Sequence, residues 1–140
     1  MPFGYQLRRA QYAYRQALER ALEPTGVTAP QFGAMALLQA TPGLSNAEMA
    51  RQSLVTPQTM NVIVGRLEAA GLVVRSPHAA HGRILRAHLT SVGETTLDAC
   101  FARAAAVEAC LVGALQPAEH PTLLARLTRI GDALVALSHD

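Results

Sequence analysis

The segment TPQTMNVIVGRLEAAG, Thr56–Gly71, carries the most information in the 140-residue chain. Thr56 is a helix-capping residue type, and Pro57 follows at the first helical position, where a missing N–H costs nothing. Met60, Ile63, Val64 and Leu67 then recur at i, i+3, i+4 and i+7, an apolar face that must pack inward. Gly71 is the residue type that ends helices. The opposite face begins at Thr56 and carries Gln58, Thr59, Asn61 and Val62, with Arg66 beside them. Such short side chains suit a helix pointed into a DNA major groove. An amide can bond N6 and N7 of adenine, and a Thr or Val methyl can touch the methyl of thymine.

Both flanks agree with that use. Upstream, Ser45 and Glu48 form a capping-box pair, and Leu44 with Met49 is placed as its hydrophobic staple. They open a short helix ending near Ser53, joined to the next by the tight turn a helix-turn-helix needs. Downstream, Leu72–Arg75 and Arg83–Thr90 read as two strands around the polar tip Ser76–Gly82, a hairpin. Arg83 and Arg86 lie close to that tip, in reach of phosphates or a narrow minor groove.

The remainder of the chain is helical in pattern. Residues 5–23 place Leu7, Ala10, Tyr14, Leu18 and Leu22 at steps of three and four. Thr28 and Gln31 repeat the capping box, with Val27 and Phe32 as staple, and open a helix to about Gln39. Ser91 with Glu94 caps a fifth helix with Leu97, Cys100, Phe101, Ala104, Val107 and Leu111 on its apolar face. A last helix over 117–138 sets Leu123, Leu127, Ile130, Leu134 and Leu137 in a coiled-coil-like seam. The order α-α-α-α-β-β-α-α makes the class mainly α, a winged helix-turn-helix.

Half of the residues are hydrophobic and 16% are charged, which fits one globular domain able to fold without metal or disulfide. No apolar run reaches the ~18–20 residues that span a bilayer, and MPFGYQLRRA lacks the apolar region of an export signal. Two cysteines make no disulfide framework, and the expected location is the cytoplasm. The net charge of +2 conceals an asymmetry: residues 45–90 carry five Arg against two Glu, and residues 91–140 three Arg against six acids. The basic block coincides with the helix-turn-helix and hairpin, which is the electrostatic footprint of DNA binding.

The stretch Leu54–Gly93 resembles the core of the MarR family of bacterial transcriptional regulators. The resemblance rests on RLEAAGLVVR closing the candidate recognition helix, a Gly-Arg pair at the hairpin tip, and LT-x-x-G opening the next helix. It extends over VTAPQFGAMALLQ and the terminal helices. It implies a homodimeric winged helix-turn-helix repressor, with residues 28–92 as the DNA-binding lobe and residues 1–24 and 93–140 as a helical dimerisation region. It makes Gln58, Thr59, Asn61 and Val62 groove-facing and Arg83 the wing arginine, and it implies release from operator DNA by a small molecule or oxidant. In two places the chain departs from the pattern. His81 replaces the usual wing Asp, which steadies a basic residue such as Arg75, and Val62 stands where an Arg is common.

Family members that bind aromatic acids motivate an effector site between the long helices and the DNA-binding lobe, lined by Tyr12, Arg15, Phe32, Met35 and Phe101. The packing alternative is that these aromatics and Met fill core. His78, His81 and His88 lie in or beside the hairpin, without the convergent ligand set that zinc requires. Cys100 and Cys110, ten residues apart on one helix, cannot bridge each other and are expected as small buried residues. An oxidant-sensing regulator would need one of them activated, and only Arg103 lies at helical contact spacing, from Cys100. No phosphate loop, metalloprotease motif or nucleophile elbow occurs, so neither an enzyme nor a cofactor is expected. The competing class is a winged-helix interaction or scaffold module that does not bind DNA.

Overall fold

The computed structural model describes residues 1–78 and 81–138, with backbone alone at 78, 81 and 82. In chain order it forms α1 (Phe3–Leu22), a 3-10 turn (Glu23–Thr25), α2 (Ala29–Ala40), β1 (Leu44–Ser45), α3 (Asn46–Ser53) and α4 (Pro57–Ala69). There follow β2 (Val73–His78), β3 (His81–Leu89), α5 (Ser91–Gly113) and α6 (Glu119–Leu137).

The helices begin where their capping chemistry lies. The Gln31 N–H donates to Thr28 Oγ1 at 3.3 Å while the Thr28 N–H donates to Gln31 Oε1 at 3.1 Å. The same reciprocal pair joins Ser45 and Glu48, at 3.2 and 2.7 Å. Each box satisfies two N–H groups that a helix start would otherwise leave without partners. Thr56 caps α4 by accepting the Thr59 N–H at 3.1 Å. Between α3 and α4 the chain turns at Leu54, a non-glycine residue in the left-handed region with φ 55°. The Asn46 amide donates to the Pro57 carbonyl at 2.9 Å and ties the first turn of α3 to that of α4.

The start of α5 differs from expectation. Its cap is Thr90, not Ser91: the Gly93 N–H donates to Thr90 Oγ1 at 3.0 Å. The Thr90 hydroxyl in turn donates to the Gly71 carbonyl at 2.7 Å, and the Thr90 N–H to the Leu72 carbonyl at 3.0 Å. Thr90 wins because its hydroxyl closes α5 and anchors the turn after α4 at once. Gly71 takes a positive φ of 75° there. Gly93 is required because a Cβ would overlap the Leu72 carbonyl oxygen. The spacing of Thr90 and Gly93 thus has a mechanical reason.

The strands form an antiparallel sheet in the order β1-β3-β2. Leu44 and Ser45 face Ala87 and Arg86, a pairing too short to leave a two-residue period in the sequence. The hairpin strands also run further toward the tip than Arg75 and Arg83, with Pro77 opposite Leu85. Pro77 is tolerated because β2 is an edge strand whose outer side needs no ladder partner.

Two compact units result, Met1–Ala104 and Ala105–Asp140. In the first, Leu22 of α1, Met35 of α2, Met49 of α3, Leu67 of α4 and Leu97 of α5 meet in one fully buried core. Met60 and Val64 join it, and Ile63 packs against it half-buried, so the inward face of α4 is the one expected. In the second unit, Leu111, Val112, Leu115, Leu123, Leu124 and Leu127 line an apolar groove of ≈ 410 Å³. None of the described residues of α6 is buried. No helix among the described residues is long and apolar enough to cross a membrane.

Candidate nucleic-acid interface

Burial of Met60, Val64 and Leu67 turns the other side of α4 to solvent. Thr56, Gln58, Thr59, Asn61, Val62 and Arg66 are all exposed, Val62 by 54% despite its apolar side chain. Thr56 does double duty, since its hydroxyl also donates to Thr59 Oγ1 at 3.0 Å. Arg83 on β3 is exposed as well. It lines a cavity of ≈ 350 Å³ with Asn46, Asn61, Arg75 and Ile84, between α3, α4 and the hairpin. α4 and Arg83 therefore border one concave surface.

Arg86 does not belong to that surface. Its Nη1 donates to the Gly43 carbonyl at 2.9 Å and to Glu48 Oε2 at 3.4 Å, and its side chain is only 30% exposed. The ladder separates the two arginines: Arg83 lies at the irregular end of β3, where the register shifts between Pro77 and His78, whereas Arg86 is in the regular part, opposite Ser76. Arg86 sits opposite Ser45 and braces the start of α3. The Ser45 N–H and hydroxyl, and then the charge of Arg86, hold the Glu48 carboxyl below its ordinary range.

Arg75 and Glu68 carry more than the sequence indicated. Arg75 Nη1 donates to Asn61 Oδ1 at 2.8 Å, and its Nε and Nη2 donate to the two Glu68 oxygens at 3.4 and 3.3 Å. The guanidinium bonds hold the Glu68 carboxyl below its ordinary range. Asn61 and Glu68 are seven residues apart, two turns along one helix face, which was the available signal. The side chains of His78 and His81 lie outside the described residues. Asn61 and Glu68 nonetheless supply Arg75 with acceptors of its own.

The five effector candidates are divided among different surroundings. Met35 is sealed in the core at 0% exposure and cannot touch a ligand. Phe32 and Phe101 pack edge to face at 5.1 Å, while Tyr12 stands 64% exposed with its hydroxyl accepting from Gln16. Arg15 lines a groove of ≈ 540 Å³ with Glu19, Val55, Thr59, Val62 and Arg66. Packing claims Met35, which is buried, and Phe32, which lies against the core, while Phe101 stays 43% exposed on the outer side of their ring contact.

The cysteines also part company. Cys100 is buried, its thiol donating to Thr25 Oγ1 at 3.6 Å, and burial pushes its pKa up. That disfavours the thiolate on which oxidant chemistry depends. Cys110 is exposed, contrary to expectation, because it lies on α5 beyond the segment that enters the core. Among the described residues no three His, Cys, Asp or Glu side chains gather in a metal-binding group.

Residues 25–84 match the sequence model of the MarR family. Over 130 residues the chain is 36% identical to the HTH-type transcriptional repressor Rv2887 of Mycobacterium tuberculosis, covering 93% of this chain and 94% of that one. The crystal structure of Rv2887 in complex with salicylic acid has a TM-score of 0.72 at 35% identity, over 93% of this chain and 96% of that one. The transcriptional repressor CouR bound to a 23-mer DNA duplex has a TM-score of 0.87 at 28% identity, over 93% and 92% of the two chains. By identity, coverage and fold together, this chain belongs to the MarR family.

Proposed function

We propose that this protein is a sequence-specific DNA-binding transcriptional regulator, a repressor rather than an enzyme, working in the cytoplasm as a homodimer. The observation that carries the reading is the exposed edge of α4, Gln58, Thr59, Asn61 and Val62, set beside the exposed Arg83. Amide and methyl groups read base edges, while the arginine supplies the phosphate or minor-groove contact that holds the helix in register. The DNA-bound structure of CouR supports the same use of the fold.

Residues 1–24 and 93–140 would form the dimerisation region, and the exposed leucines of α6 are the apolar surface such pairing needs. A two-fold dimer would meet a pseudo-palindrome with half-site centres ~10–10.5 bp apart. For the effector, Arg15 and Arg66 border a groove with Glu19, Val55 and Val62, so two cations against one carboxylate beside an apolar wall suit a small aromatic acid. The salicylic acid complex of Rv2887 supports that ligand class. Because Thr59, Val62 and Arg66 line the groove and also face outward on α4, ligand and DNA would compete for the same side chains.

Gel shifts with DNA from upstream of the protein's own gene, across a salt series, test the reading. Binding should weaken steeply with salt, and Arg83→Ala should flatten the logarithmic slope by about one unit. Absence of sequence-dependent binding at every salt concentration would return the chain to the scaffold class.

A further inference from the structure

Asn61 does not meet solvent as an unconstrained amide. A guanidinium has five N–H donors and no acceptor, so Asn61 must turn its oxygen toward Arg75, which donates to it at 2.8 Å. Arg75 is itself anchored, because two of its nitrogens are engaged by both oxygens of Glu68 on the same helix face. The planar fork leaves Nη1 aimed at Asn61 and little freedom to swing away. What the side chain can still offer outward is its Nδ2, a donor.

We propose that Arg75 sets the base preference of Asn61. With its oxygen engaged, Asn61 favours a base edge rich in acceptors, guanine before all, over the bidentate adenine contact. The adenine contact needs the amide oxygen to accept from N6 while the nitrogen donates to N7. The oxygen's second lone pair stays open. A donor brought to it, however, approaches a full positive charge that lies one hydrogen bond away. Guanine O6 and N7 are both acceptors and are attracted by Nδ2 and by the guanidinium together. Arg75 is thus a positioning residue acting through Asn61, and Glu68 keeps it in place.

This inference rests on the DNA-binding reading, and one experiment separates their failures. The full-length protein selects from a random duplex library, and the base read by Asn61 is the position whose preference disappears in Asn61→Ala. Guanine, or thymine with its O4 acceptor, should exceed adenine there by about tenfold. Arg75→Met should move that position alone toward adenine. Arg75→Lys, which can still donate to the Asn61 oxygen, should keep the original preference. If Arg75→Met does not fold, Glu68→Gln loosens the same anchor and should move the preference in the same direction by less. Enrichment of adenine by the unaltered protein, or an unchanged profile in Arg75→Met, overturns the inference while leaving DNA binding intact. No enrichment of any sequence overturns both.

Discussion

The two halves of α5 carry the same kind of sequence and meet opposite fates. In the first, Leu97, Cys100 and Ala104 are buried in the shared core, with the Cys100 thiol against Thr25. In the second, Leu111 and Val112 are 45% and 46% exposed, and the leucines of α6 are exposed with them. Periodicity states that a helix has an apolar face. It does not state what covers that face. The unit Met1–Ala104 closes its own core, whereas the unit Ala105–Asp140 leaves most of its leucines exposed, the apolar surface that the proposed pairing would use.

Substitutions can break this contrast, starting with the largest effect. Leu97→Ala opens a cavity in the closed core and should lower stability by about 2–5 kcal/mol, read from urea midpoints at fixed protein concentration. Gly93→Ala should cost about 1–3 kcal/mol in the same measurement, since the added methyl meets the Leu72 carbonyl rather than open space. A Gly93→Ala protein as stable as its parent would show that the junction of β3 and α5 is less rigid than its hydrogen bonds imply. Leu127→Ala lies on the exposed side of the comparison and should change single-chain stability by no more than about 0.5 kcal/mol. Its effect should appear instead in sedimentation, as weaker self-association, and as a melting temperature more sensitive to protein concentration. Equal losses for Leu97→Ala and Leu127→Ala at high dilution would erase the distinction.

The smallest effect expected is the pH dependence that Glu48 and Glu68 give to the first unit. Glu48 and Glu68 both have pKa values lowered on folding, so their carboxylates bind protons less readily in the folded state than in the unfolded one. The stability they contribute is complete above the ordinary value of 4.5 and is lost as pH falls through the lower folded values. Urea midpoints followed from neutral pH down through that range should decline. Glu48→Gln should flatten the decline, because the amide that replaces the carboxylate does not titrate.

Legibility followed the range of the interaction. Both capping boxes, the Thr56 cap and the inward face of α4 lie within a few residues of chain, and local chemistry is enough to place them. The exposed residues of α4 follow by subtraction, as does Arg83 from its place near the hairpin tip. The partners of Arg86, the Gly43 carbonyl and Glu48, lie 43 and 38 residues away and leave no mark in the local pattern. The start of α5 was misread because Ser91–Glu94 satisfies the local pattern, while Thr90 has in addition a partner nineteen residues away at Gly71. For Met35 and Phe32 the local pattern offers no signal that separates a pocket wall from a core wall. That difference depends on which helices close over them.

The amino-acid order alone therefore determined the helix starts, the amphipathic faces, the hairpin and the basic block that accompanies them. Each is governed by backbone hydrogen bonds and side-chain periods spanning one or two turns. Only the tertiary structure decided that Asn61 answers to Arg75 and Glu68, that Arg86 braces α3, and that Cys100 is sealed while Cys110 is not. Those outcomes join residues from separate elements. Contacts of that kind form only when a strand and a helix are brought together by burying a shared core, which no local pattern encodes.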